Sequence, residues 1–344
     1  MKGFGFSEHG GPERLGWVDV PEPRPGPGEV RVRLRTAAFN HLDRFVLAGI
    51  PGVPVERPHI LGSDGAGEVD AVGDGVGDLP VGSEVLLNPG IWDATCPACQ
   101  SGSEELCREY RILGEHTQGT ATEFVVLPRR NLHPKPGRLG WAEAAAAPLV
   151  FQTAWRAVRT VGALRPGETV AIIGAGGGTA LAALQVARLA GGHVAVLSRS
   201  PEKLERARRA GADATFLIPP DGRFDRALWE WSGKNGVDVI FDSVGRATIP
   251  TSVRALARGG RIVVIGATTG SPVDVELRTL FWRQASIRGS MMSNASEFRA
   301  MLAELARGRL TPVIDREYPL AEAAEAFRRF GSDELFGKVV LRVR

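Results

Sequence analysis

Hydrophobic and polar positions fall into two regimes along the chain. Over Glu29–Arg35 apolar and charged residues alternate, the period-two pattern of a half-exposed strand. Leu61–Gly73 reads as a second strand punctuated by glycines, which predicts bends or another backbone lying close. Near residue 140 the pattern changes. Trp141–Val158 is alanine-rich and predicts helix, interrupted at Pro148. Thr169–Gly174 is a short continuous apolar run, the mark of a buried strand, followed by a glycine cluster and a helix over Thr179–Leu189. A strand His193–Leu197, a charged helix Arg199–Gly211 and apolar strands Val237–Asp242 and Arg261–Gly266 follow. This alternation predicts an α/β domain, a doubly wound parallel sheet with right-handed crossovers. The C-terminal part is mixed: helices Glu297–Arg307 and Leu320–Phe330, then a strand Lys338–Val343.

At 344 residues the chain is longer than a single core usually supports, so two domains are expected. The net charge of +3 gives no basis for a nucleic-acid or membrane-surface partner. No apolar run approaches the ~18 residues of a membrane span, and Met1–Gly10 lacks the apolar core of a leader. The three cysteines lie between positions 96 and 107; an odd, clustered set argues against a disulfide framework and for a reducing cytoplasm.

Two features carry chemistry. Gly174-Ala-Gly176-Gly177-Gly178-Thr179-Ala180 lies between a strand and a helix. Such a turn lets backbone N–H groups approach a pyrophosphate, and the helix N-terminus adds unpaired donors and partial positive charge. No Lys-Ser/Thr pair follows, so it is not a P-loop. A dinucleotide is the expected ligand. The second strand ends Ser198-Arg199, with Lys203 beyond, where a carboxylate would accept from a ribose 2′-OH. A hydroxyl and two cations suit a 2′-phosphate, so NADP(H) is expected. The second feature is Asp93-x2-Cys96-x2-Cys99-x7-Cys107 on a loop of about residues 92–108. Three thiols and a carboxylate at this spacing can enclose one tetrahedral structural zinc.

The chain resembles the medium-chain dehydrogenase/reductase superfamily, nearest its zinc-containing alcohol dehydrogenase-like and quinone oxidoreductase-like members. The likeness rests on Asn40-His-Leu-Asp43, Pro58–Gly67, Leu113-Gly-Glu-His116, Thr153-Ala-Trp155, the glycine turn, Gly259-Gly-Arg-Ile262 and Phe336–Leu341. It implies a GroES-like β-rich catalytic domain over 1–149 and 289–344, a Rossmann domain over 150–288, and a small-molecule substrate in the cleft. It also implies cofactor contacts at Thr153, Ser243, Gly245, Gly266, Ala267 and Lys338, the last reaching the cofactor phosphates. A homodimer or homotetramer is implied, paired through a last strand near Ser286–Met291.

The departures from the family pattern set the expected chemistry. The catalytic-zinc cysteine is Asn40, the relay hydroxyl is Leu42, the histidine of Gly-His-Glu is Ser63, and Pro148–Phe151 offers no cysteine. Losing these groups argues against a catalytic zinc, which needs at least three protein ligands. The expectation is NADPH-dependent hydride transfer to a quinone or to an activated alkene or carbonyl. Asn40 is the candidate donor, with His41, Asp43 and Asp64 as further catalytic candidates. The alternatives are an alcohol dehydrogenase with an atypical metal site built from His41, Asp43 and Asp64, and a cofactor-binding protein with little turnover.

Overall fold

The alternating segment at the start of the chain forms the strand Glu29–Ala38 at the centre of a seven-stranded sheet, in a computed structural model that describes residues 1–343. Its even-numbered residues Val30, Val32 and Leu34 are fully buried against Val69, Val85 and Leu127. The odd-numbered arginines face outward and pair with Asp70 and Glu68 on the neighbouring strand. Of the glycine-punctuated segment, Asp64–Val72 is strand, and the chain turns at Gly62 between it and the short preceding strand His59–Ile60. Asp64–Val72 pairs antiparallel with Glu29–Ala38, and the C-terminal strand Lys338–Arg342 pairs with the far end of the same strand. Phe39, the residue after that strand, is fully buried edge-to-face on Phe327 at 5.2 Å and beside Phe330.

A second sheet has six parallel strands in the order 214–217, 193–198, 169–173, 237–242, 256–264 and 286–289. This is the doubly wound order in which a nucleotide site forms where the strand sequence reverses, beside Thr169–Ile173. Ala171, Ile173, Leu197, Ile240 and Ile262 are buried within it, which is why these strands read as unbroken apolar runs. Arg261 anchors its strand to the preceding loop: it forks onto Glu168 at 3.0 and 2.6 Å and donates to the carbonyls of Gly162 and Ala163.

The first sheet belongs to a unit of Met1–Leu149 with Asn294–Arg344, and the second to Val150–Ser293. Both expected fold types are present, the GroES-like β-rich domain and the parallel-sheet Rossmann domain. The return to the first unit comes at Asn294 and not at 289. Asn294 caps the helix Ala295–Arg307, accepting from Glu297 N–H at 2.8 Å, so the new element begins there. The predicted helix Trp141–Val158 is two helices, Trp141–Ala146 and Pro148–Trp155, with a π turn over Arg156–Val161. Pro148 has no N–H to continue the first helix and is suited to open the second. No helix among the described residues is long and apolar enough to cross a membrane.

Candidate active site

Strand register builds the polar cluster in the first unit. Ala38 pairs with Asp64 on one side and with Val340 on the other, and Phe39 N–H donates to the Val339 carbonyl. Continuing the antiparallel register by two residues sets Lys338 opposite Asn40. Asn40 leaves the strand in extended conformation and caps the helix His41–Ala48. Its Nδ2 donates to Asp64 Oδ2 at 2.8 Å. The Lys338 ammonium donates to the same oxygen at 2.8 Å and to Asn40 Oδ1. Asp64 Oδ1 accepts from Leu149 N–H at 2.8 Å. All three residues are buried: Asp64 fully, Lys338 at 3% and Asn40 at 4% exposure.

Asp43 is a positioning group. One carboxylate oxygen accepts from Asn40 N–H and the other from Gly62 N–H, both at 2.7 Å, so it ties the helix start to the turn before Asp64. Burial pushes its carboxyl up to about 6, Asp64 adds to the rise, and the two N–H donors and Lys338 oppose it. His41 does not join the cluster. Its residue surface is exposed, but its ring lies against Phe45 at 5.4 Å and Phe330 at 6.1 Å, and this partial shielding of the imidazole, with nearby Arg44, lowers its pKa. The ammonium of Lys338, expected by resemblance at the cofactor phosphates, lies buried on Asn40 and Asp64. Ser63, at the position of the lost histidine ligand, is fully buried, and its hydroxyl has no hydrogen-bond partner.

Sequence reasoning passed over Glu115. Its carboxyl is nearly buried, with His116 Nδ1 3.9 Å away, and burial alone pushes it up to about 7. It follows Gly114, whose N–H closes a turn on Thr117 and whose carbonyl lies 3.0 Å from His59 Nε2. A carboxyl inside the segment Leu113-Gly-Glu-His116, which resembles a family motif, was the available signal.

The cysteine loop brings its four predicted residues together. Donor atoms of Asp93, Cys96, Cys99 and Cys107 lie within 4.8 Å of one another, the one such convergence of three or more His, Cys, Asp or Glu among the described residues. The Sγ atoms of Cys96 and Cys99 are 3.6 Å apart, near the ~3.8 Å edge of a tetrahedron with ~2.3 Å metal–sulfur bonds. Asp93 Oδ1 accepts from Cys96 N–H at 2.9 Å and Thr95 N–H at 2.7 Å, and these donors hold its carboxyl well below the usual range.

In the second unit Gly174 ends its strand at φ +104°, a left-handed turn that a side chain disfavours. Gly177 precedes the helix Gly178–Leu189, whose first intrahelical bond runs from Leu181 N–H. The N–H groups of Gly178, Thr179 and Ala180 therefore lack intrahelical acceptors and can meet an anion. Ser198 is buried at the end of the next strand, its Oγ accepting from Ser200 N–H, and Arg199 is exposed beside it. Ser200 caps the following helix through Lys203 N–H. Ser243 and Gly245 follow Asp242, whose carboxylate accepts from the N–H groups of Val244 and Gly245 and from the Thr248 hydroxyl. Gly266 and Ala267 follow the strand Leu256–Val264, and Thr153 Oγ1 lies 4.0 Å from Met292 Sδ.

The model of the alcohol dehydrogenase GroES-like domain matches residues 26–137, and that of the zinc-binding dehydrogenase domain matches residues 178–307. A solved NAD-dependent alcohol dehydrogenase is 43% identical, with a TM-score of 0.94 and 100% coverage of both chains. A zinc-type alcohol dehydrogenase-like protein of Schizosaccharomyces pombe is 30% identical over 90% of this chain and 89% of its own. The solved crotonyl-CoA carboxylase/reductase AntE, in complex with NADP, is 29% identical with a TM-score of 0.90, covering 99% of this chain and 94% of that one.

Proposed function

The chain belongs to the zinc-type alcohol dehydrogenase, or medium-chain dehydrogenase/reductase, superfamily and is an oxidoreductase of its NAD(P)-dependent kind; we propose that it reduces a quinone or an activated alkene or carbonyl with NADPH and without a catalytic metal. The observation that carries this reading is the Lys338 ammonium seated on Asn40, at the position of the zinc-binding cysteine in the resemblance, and on Asp64, next to the lost histidine position. A cation already neutralises Asp64, and neither Asn40 nor Ser63 supplies the thiolate or imidazole that zinc prefers.

Bound NADPH would supply the hydride. The residues of this chain do the rest. The N–H groups at Gly178–Ala180 and the turn at Gly174 suit the pyrophosphate. Ser198, Arg199 and Lys203 suit the 2′-phosphate, and Thr153, Ser243, Gly245, Gly266 and Ala267 fit the remaining cofactor contacts. Asn40 meets the acceptor, with Asp64 and Asp43 holding it. The four donors of the cysteine loop fit one zinc, which would staple the loop and leave no open position for substrate. Reduced thiols suit a cytoplasmic setting. Exposed Leu277, Phe281 and Trp282 beside the edge strand Ser286–Gly289 suit pairing with a second copy.

NADPH oxidation against a panel of quinones and enones tests the reading; no turnover with any acceptor overturns it. Arg199→Ala is expected to raise KM for NADPH about tenfold, the worth of one exposed charge-assisted hydrogen bond, and to leave KM for NADH unchanged. Equal effects on both cofactors would assign Arg199 away from the 2′-phosphate.

Both oxygens of Asp43 are taken by backbone donors, and Glu115, a nearly buried carboxyl whose pKa burial raises, is the candidate proton donor of this reading. An acid of this kind works only while protonated. With a pKa of about 7, kcat/KM is expected to fall as pH rises through 7. Glu115→Gln is expected to flatten that limb and lower the rate about tenfold. An unchanged pH profile in the variant would remove Glu115 from the reaction.

A further inference from the structure

We propose that Lys338, Asn40 and Ser63 form an oxyanion site for the carbonyl oxygen of an α,β-unsaturated carbonyl, with the Lys338 ammonium taking the electrophilic role; this rests on the reductase reading and narrows its substrate class. The donor inventory supplies the argument. An ammonium carries three N–H donors, and two are placed, on Asn40 Oδ1 and Asp64 Oδ2. The Asn40 amide has two, of which one is placed on Asp64. The Ser63 hydroxyl, adjoining Asp64 in the chain, is fully buried and makes no hydrogen bond. Two donors thus remain unspent in the cluster of Asn40, Asp64 and Lys338, and the Ser63 hydroxyl is a third, next to Asp64 in the chain; a buried orphaned donor costs free energy unless something accepts from it.

On the Asp64 carboxylate, by contrast, both oxygens already accept hydrogen bonds. Asp64 Oδ2 receives both Asn40 and Lys338, and Oδ1 receives Leu149 N–H. The carboxylate therefore aligns the donors and is not itself offered to a ligand. A buried ammonium–carboxylate pair is often no more stable than apolar residues of similar volume. Its presence here is explained by a charge that appears during reaction.

In an enone the β-carbon gains the hydride and a new C–H bond. The C=C electron pair shifts to join the α-carbon to the carbonyl carbon, and the carbonyl π pair moves onto oxygen. The resulting enolate then takes a proton, ultimately from solvent water, at the α-carbon, leaving the saturated carbonyl compound, NADP⁺ and hydroxide that the buffer neutralises. Negative charge is localised on one oxygen, where preorganised donors stabilise it most. A quinone spreads the same charge over a ring and two oxygens and gains less from a single seat.

The test uses the full chain and 4-nitrophenol, whose phenolate mimics the enolate oxygen and is read by its own absorbance without turnover. The variant is K338M/D64N, which removes both charges together and avoids a lone buried ion; S63A is the second variant. Wild type is expected to bind the phenolate about tenfold tighter than the neutral phenol, with the preference lost in K338M/D64N and weakened in S63A. Enone reduction in K338M/D64N is expected to lose about 10²-fold in kcat with KM for NADPH unchanged, the scale of one oxyanion donor. An unaltered phenolate preference, or a raised KM for NADPH with kcat intact, overturns the site and returns Lys338 to the cofactor phosphates. A phenolate preference lost in the variant, with no reductase activity in wild type, would sustain the oxyanion site and sink the reductase reading.

Discussion

Asp64→Ala is expected to lower the unfolding free energy by about 3–5 kcal/mol, because it strands the Lys338 ammonium at 3% exposure with only the Asn40 carbonyl oxygen as acceptor. The change also removes the acceptor of Asn40 Nδ2. This further orphaned donor adds to the loss. The cost lies in the unpaired charge, so neutralising both partners in K338M/D64N is expected to restore stability to within about 1–2 kcal/mol of wild type. Urea unfolding of the three proteins measures this. A loss under about 1 kcal/mol for the single variant would mean that Lys338 reaches water and that the cluster is not sealed.

Gly337→Ala carries the second large effect, about 2–4 kcal/mol. Gly337 holds φ +116°, where a side chain is strained, and a Cβ there would lie 2.5 Å from the Val313 carbonyl oxygen and 3.1 Å from Asp315 N. These neighbours are backbone and cannot swing aside. The loop is pinned by Asp315, which accepts from Phe336 N–H at 3.0 Å and from Arg329 at 2.7 Å. The strain therefore passes forward to the next residue, Lys338. Tm is expected to drop, and kcat to fall further than NADPH affinity, since the displaced group belongs to the acceptor side. A drop in Tm with kcat unchanged would show that the strand absorbs the shift before Lys338.

The nucleotide-binding unit was legible in the sequence because its central strands are buried on both faces. Thr169–Ile173 and Val237–Asp242 declare themselves as apolar runs, and the glycine turn stands between strand and helix. Ala214–Leu217 escaped notice because it is an edge strand, half-buried and only four residues long. The convergence of Asp93, Cys96, Cys99 and Cys107 was legible because the four residues are close in sequence. The Lys338 cluster was not. Its three residues come together only through the antiparallel register of Ala38 with Asp64 and with Val340, and no local pattern encodes a pairing across almost 300 residues. The signal that could have found it was the deficit left at Asp64. Once the zinc ligands at the Asn40 and Ser63 positions are gone, a fully buried carboxylate needs another cation. His41, next to Asn40 in sequence, turns outward because it opens a helix whose buried face is Asp43, Val46 and Leu47.

The most direct test of the account is the zinc content of the dialysed, metal-replete chain by elemental mass spectrometry. About one zinc per chain is predicted, held by Asp93, Cys96, Cys99 and Cys107 and released by a chelator together with the appearance of reactive thiols. About two zincs per chain, with the second lost in Asp64→Ala, would contradict it: the cluster of Asn40, Asp64 and Lys338 would then be a metal site with the lysine displaced.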